Sequence, residues 1–120
     1  MVLIDSNIII YSYSSYTYLR DFLIKENTFV SEITRIEVLG YHHLTGDEEL
    51  YFKDVFSLIP ILIPDQSTYT QALIIRKKYN LKLGDAIIAA TAVVHNLSIL
   101  TRNLKDFERI GNLNCINPIK

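Results

Sequence analysis

The chain has 120 residues, 49% of them hydrophobic, which is the size of one domain and enough apolar material for a core without cross-links. One cysteine excludes an intrachain disulfide, and no apolar run reaches the roughly 18 residues of a membrane span. A formal net charge of −1 argues against coating nucleic acid by bulk electrostatics, so any contact of that kind must be local. Met1 leads directly into a strand with no signal-like stretch, and a soluble protein of the reducing cytoplasm is expected.

Short β-rich runs alternate with longer helical ones, the order of an α/β domain with a mostly parallel sheet. Val2-Leu3-Ile4 reads as a fully buried strand ending at Asp5. Helices follow from Ser6 to about Tyr13 and from Tyr16 to Glu26, the second because Phe22 and Leu23 lie three and four residues beyond Leu19. Thr28 to Val30 is a second strand, and a helix runs from Ser31, its cap, to His43. Gly46 breaks that helix and Asp47 opens another, with Leu50, Tyr51, Val55 and Leu58 as apolar positions. Pro60 and Pro64 bracket the strand Ile61-Leu62-Ile63. Asp65 caps a helix to Tyr79, and Gly84-Asp85 opens a very apolar helix ending near His95-Asn96. Ser98 to Thr101 is the fourth strand, Asn103 to Arg109 a short helix, and Leu113 to Ile116, containing Cys115, a last buried strand. No repeat or linker divides residues 1–120.

Three acidic residues stand out. Asp5 lies at the carboxyl end of the first strand, where parallel sheets bind ligands, although capping the helix at Ser6 explains it equally well. Asn7 adds a further side-chain oxygen there. Glu37 is expected within an apolar stripe of Ile33, Ile36, Gly40, Tyr41 and Leu44, a costly place for a charge unless it is paired or bound to metal. A capping box over Thr34 to Glu37 is the plainer account, but Ser31 is the better helix start. Asp85 shares a helical face with Ile88, Ala89 and Ala92, with an N-cap as its plain alternative. Clustered carboxylates without His or Cys partners suit Mg²⁺ or Mn²⁺ better than Zn²⁺.

In this order, Val-Leu-Ile-Asp-Ser-Asn at 2–7, Ser31-x-x-Thr34-x-x-Glu37, Leu83-Gly84-Asp85-Ala86-x-Ile88-Ala89-Ala90-x-Ala92 and Leu100-Thr101-Arg102-Asn103-x-x-Asp106-Phe107 resemble the PIN domain, and within it the VapC-like ribonuclease toxins. The resemblance implies a three-layer α/β/α sandwich with a mostly parallel central sheet. It also implies a metal-dependent endoribonuclease that cuts single-stranded regions of RNA, leaving a 5′-phosphate and a 3′-hydroxyl. A VapB-like antitoxin and a homodimer are the partners it implies. Asp5, Glu37 and Asp85 match the family's three main acidic residues and would hold the Mg²⁺ or Mn²⁺. The fourth acidic position is occupied by Asn103, with Asp106 one turn later as its substitute.

Around these, Ser6, Thr34 and Thr101 are candidates for orienting carboxylates or phosphate oxygens, and Arg35, Arg102 and Lys105 for contacting RNA. The run Arg76-Lys77-Lys78 and His95 read as solvated helix ends. His42-His43, as neighbours on a helix, point to different sides and do not form a Zn²⁺ site. Tyr11, Tyr13, Tyr16 and Tyr18 are too dense to be all core, which leaves some for an interface. Two rivals remain: a non-catalytic binding module of the same fold, suggested by Asn103, and a phosphoaspartate-type phosphatase. The phosphatase lacks a second Asp two residues after Asp5.

Overall fold

A computed structural model describes residues 1–120. The elements are β1 (Val2–Ile4), α1 (Ser6–Tyr13), a 3-10 turn (Thr17–Leu19) leading into α2 (Arg20–Leu23), β2 (Thr28–Ser31), α3 (Glu32–Leu39) and α4 (Gly46–Leu58). They continue as β3 (Ile61–Leu62), α5 (Gln66–Tyr79), α6 (Leu83–His95), β4 (Ser98–Leu100), α7 (Leu104–Phe107) and β5 (Cys115–Ile116). The sheet has the order β3-β2-β1-β4-β5, and every pairing is parallel. β1 is central, paired with β2 on one side and with β4 on the other.

Strand residues alternate between two cores, as the pleat requires. Leu3 and Ile99 join α5, α6 and α7 on one face, while Ile4, Val30 and Leu100 join α1 to α4 on the other. The result is the expected α/β/α sandwich. Helix α6 is buried without interruption from Ala86 to Ala92. Its alanines let it lie close between the sheet and α5, a packing that longer side chains would prevent. Helices α5 and α6 stop at Asn80 and Asn96, both in the left-handed conformation that asparagine tolerates. No helix is long and apolar enough to cross a membrane.

Several boundaries differ from the sequence expectation. Helix α3 ends at Leu39 instead of His43: the Gly40 N–H makes the last i→i−4 bond, to the Ile36 carbonyl at 2.8 Å, with Gly40 as the C-cap. A Cβ on residue 40 would stand 2.4 Å from that oxygen, so only glycine fits the closed turn. His42 and His43 therefore lie in a turn, and their ring centres stand 3.9 Å apart, tilted 45° to each other, instead of pointing apart. Helix α4 starts at Gly46, not Asp47, because Thr45 and Glu48 form a reciprocal capping box. Residues 16–26 are not one helix: the Tyr16 N–H is held by the Tyr11 carbonyl and the segment finishes at Asn27 in the left-handed region. The last strand is a two-residue edge covered on one face, so Cys115 is half-buried and Ile116 exposed.

Candidate active site

Strand order reverses between β1 and β4, and the crevice beyond their carboxyl ends is where ligands bind in open parallel sheets. Asp5 emerges there, only 4% exposed, with its N–H bonded to the Leu100 carbonyl at 2.9 Å as the last rung of the β1–β4 ladder. Its carboxylate accepts from the Ser6 N–H at 2.8 Å, the Thr101 hydroxyl at 2.8 Å and the Asn7 amide at 3.1 Å. Capping and site chemistry thus coincide at Asp5. No cationic side chain contacts it, and burial raises its pKa from the ordinary 3.8 to about 6. The Thr101 and Ser6 bonds oppose that rise, while the charges of Asp85 and Glu37 add to it.

Thr101 is a hub. Fully buried, it donates to Asp5 and accepts from the Asn103 N–H at 2.9 Å. Asn7 works in parallel, donating to Asp5 and accepting from the Arg102 N–H at 3.1 Å. Between them, the two residues fix the loop after β4 to the start of α1.

Glu37 approaches from α3, and its setting corrects the sequence expectation. The buried face of α3 is Thr34 and Val38, whereas Glu37 is exposed and its neighbour Ile36 is 56% exposed. The expected stripe included Gly40, Tyr41 and Leu44, which lie beyond the helix end; Tyr41 and Leu44 still line one hollow with Glu37, but as residues of the following turn and not as a helical stripe. Ser31 does cap α3, accepting from the Ile33 N–H, so no capping box spans Thr34 to Glu37. The Glu37 carboxylate instead accepts from the Ser6 hydroxyl at 2.8 Å, and that hydroxyl lies 3.4 Å from Thr34 Oγ1.

Asp85 is the third residue of α6, whose cap is Lys82, so the N-cap reading of Asp85 fails. Burial raises its pKa first, then the charges of Glu37 and Asp106, with Lys82 opposing. Asp106 belongs to the same field from the α7 side and accepts from the Asn103 amide at 2.9 Å. Asn103 is thereby turned toward Asp106 as a donor. Glycine at 84 is a feature that sequence reasoning read only as a helix opening. A Cβ there would stand 3.0 Å from Glu37 Oε2, so its absence admits that carboxylate to the end of α6.

Of the expected RNA contacts, Arg35 is held by Glu32 through two hydrogen bonds. Arg102 bonds to the Tyr11 hydroxyl and lies over that ring, and Lys105 is exposed. Arg76, Lys77 and Lys78 are exposed at the end of α5, as a solvated helix end should be.

An all-oxygen donor set, in which the charges of Glu37 and Asp85 raise the pKa of Asp5 and those of Glu37 and Asp106 raise that of Asp85, is chemically suited to a hard divalent cation. No three acidic, histidine or cysteine side chains stand close enough to hold an ion together. The spacing therefore suits an ion that takes one or two carboxylates directly and reaches others through water, as Mg²⁺ does.

The PIN domain family model matches residues 2–113. Ribonuclease VapC1 of Rickettsia felis is 33% identical over 107 residues, which is 88% of this chain and 75% of that protein. The structure of a toxin–antitoxin complex from Klebsiella pneumoniae superposes with a TM-score of 0.84 at 31% identity, over 100% of this chain and 99% of that one. FitAcB from Neisseria gonorrhoeae gives 0.80 at 26% identity, over 98% of each chain. The four sequence blocks, the parallel sheet with its acidic crevice and these likenesses agree: the chain belongs to the PIN domain family.

Proposed function

We propose that this chain is an endoribonuclease, the toxin of a toxin–antitoxin pair, acting through a single domain that requires Mg²⁺ or Mn²⁺. The observation that carries the reading is the buried Asp5 at the switch point of the sheet, drawn into one electrostatic field with Glu37 and Asp85 and with no cation beside it. The names of the relatives, a ribonuclease and a toxin–antitoxin complex, support the activity and an antitoxin partner. Cytoplasmic action and a homodimer belong to the same reading.

Asp5, Glu37 and Asp85 would hold the ion, with Asp106 beside them in the same electrostatic field. A divalent cation held there would neutralise charge growing on the scissile phosphate and lower the pKa of a bound water. The remaining work falls to the chain. Thr101 and Asn7 hold Asp5 in one orientation, Ser6 holds Glu37, and Gly84 leaves room for it. Asn103 orients Asp106 through its amide. Arg102 and Lys105 lie beside the β4 end, where they meet phosphates flanking the cut.

The test is cleavage of single-stranded RNA by wild type and Asp5→Asn, with Mg²⁺, Mn²⁺ or EDTA. Cleavage by wild type alone, and only with a divalent ion, is expected. Metal-independent cleavage, or an undiminished Asp5→Asn, overturns the reading, and no cleavage of any RNA favours the non-catalytic binding module. A phosphatase mechanism is disfavoured by Asn7, which donates to Asp5 and has no acidic function to offer.

A further inference from the structure

Beside the carboxylates runs a row of aromatic and cationic side chains of which the chemistry above uses only Arg102. It begins two hydrogen bonds from Asp5, where Asn7 links that carboxylate to the Arg102 backbone. The Arg102 guanidinium lies 5.1 Å from the centre of the Tyr11 ring. Tyr11 meets Tyr16 edge to face at 5.7 Å, Tyr16 meets Tyr18 at 6.0 Å, and the Lys120 ammonium stands 6.0 Å from the Tyr18 ring. Nothing in catalysis or in core packing requires a cation at each end of three tyrosines.

We propose that this row is a track for single-stranded RNA, with bases against the tyrosine rings and phosphates against Arg102 and Lys120. The inference rests on the ribonuclease reading and adds where the strand lies. Three observations carry it. Neither Arg102 nor Lys120 belongs to any ion pair of the protein, so both charges remain available to phosphate. Tyr11 and Tyr16 are half-buried against the core beneath α1, which holds their rings rigid at little entropic cost, and Tyr18 is 37% exposed. Aromatic rings bind unpaired bases through their faces irrespective of sequence, while a duplex keeps its bases stacked inside. A chain of net charge −1 needs a local device of this kind to hold a polyanion.

The test is fluorescence anisotropy of a labelled oligoadenylate in EDTA, so that binding is read without cleavage. Tyr18→Ala and Tyr16→Ala should each weaken binding about tenfold, while Tyr16→Phe binds like wild type because the ring and not the hydroxyl does the work. Circular dichroism checks that the half-buried position 16 still folds, and Tyr18, being more exposed, carries the test if it does not. Unchanged affinity in Tyr18→Ala overturns the track. So does a Phe variant as weak as its Ala counterpart, or equal affinity for an RNA duplex. If the alanine variants lose capture of an antitoxin but keep RNA affinity, the surface belongs to a protein partner and the track is wrong. Wild type that cleaves no RNA in any divalent ion sinks the ribonuclease reading separately, since the anisotropy requires no cleavage.

Discussion

Replacing Asp5 by asparagine should abolish cleavage and yet stabilise the metal-free protein at neutral pH. Asp5 is buried without a cation, and its pKa lies at about 6 in the fold against an ordinary 3.8. The folded state therefore binds the proton more tightly than the unfolded chain. That preference contributes fully below about pH 3.8, declines as pH rises, and is gone above about pH 6. The gap corresponds to roughly 3 kcal/mol, the amount by which ionising Asp5 weakens the apo protein. The substituted side chain does not titrate; its oxygen can replace Oδ2 and accept from Thr101 and Asn7, but its NH2 then faces the Ser6 N–H that now donates to Oδ1. Losing about 1 kcal/mol there leaves a net gain of roughly 2 kcal/mol at pH 7.5. For a chain of this length that is a rise in Tm of about 8 °C. Thermal melts of both proteins in EDTA from pH 4 to pH 8 provide the assay, and Asp85, present in both, cancels to first order. The stability difference should swing in favour of Asp5→Asn as pH rises through the window from about 4 to 6. A difference that stays flat with pH, or a wild type more stable at pH 7.5, would refute the electrostatic argument.

Gly84→Ala should push the Glu37 carboxylate aside by a few tenths of an ångström, lowering kcat about tenfold with Tm unchanged or slightly raised, since Ala suits a helix better. Steady-state cleavage and a melt together check this. Thr101→Val removes a donor from Asp5 and the acceptor of the Asn103 N–H, which should cost about 1–3 kcal/mol in denaturant unfolding. Because the lost bond holds the Asp5 pKa down, the acidic limb of the pH–activity profile should move to higher pH. Asp106→Asn should weaken Mg²⁺ binding about tenfold by calorimetry, as expected for loss of a supporting carboxylate, and Asn103→Ala should weaken it less.

The layer order and parallel sheet were legible because each strand here is a short apolar run flanked by turn residues. Caps were legible where one side chain decides them, as at Ser31 and Asp65. The end of α3 was not, because nothing in the spacing of residues 40–43 marks where the helical hydrogen bonds stop. That error carried into the site: counting the helix through His43 placed Glu37 on a buried stripe, whereas it is exposed and meets Tyr41 and Leu44 only across a shared hollow. The acid with the strongest burial is Asp5, which helical periodicity had no means to identify. Asp85 stands out in the sequence as a site residue, but its N-cap alternative stays open until its place as the third residue of α6 is known. The tyrosines were visible as a cluster, but their alignment with Arg102 and Lys120 depends on tertiary contacts between residues up to 102 positions apart.

The central position of β1 also governs when the site can assemble. Asp5 receives its Thr101 hydrogen bond across 96 residues, and β4 must arrive before the crevice has its second wall. The stretch between Asp5 and Asp85 takes roughly 4 to 16 s to translate at about 5–20 residues per second. During that interval the nascent chain can offer Asp5 its β2 neighbour and Glu37, but neither β4 with Thr101 nor Asp85. A site built this way has a delay written into its topology, since it cannot assemble until synthesis is nearly done.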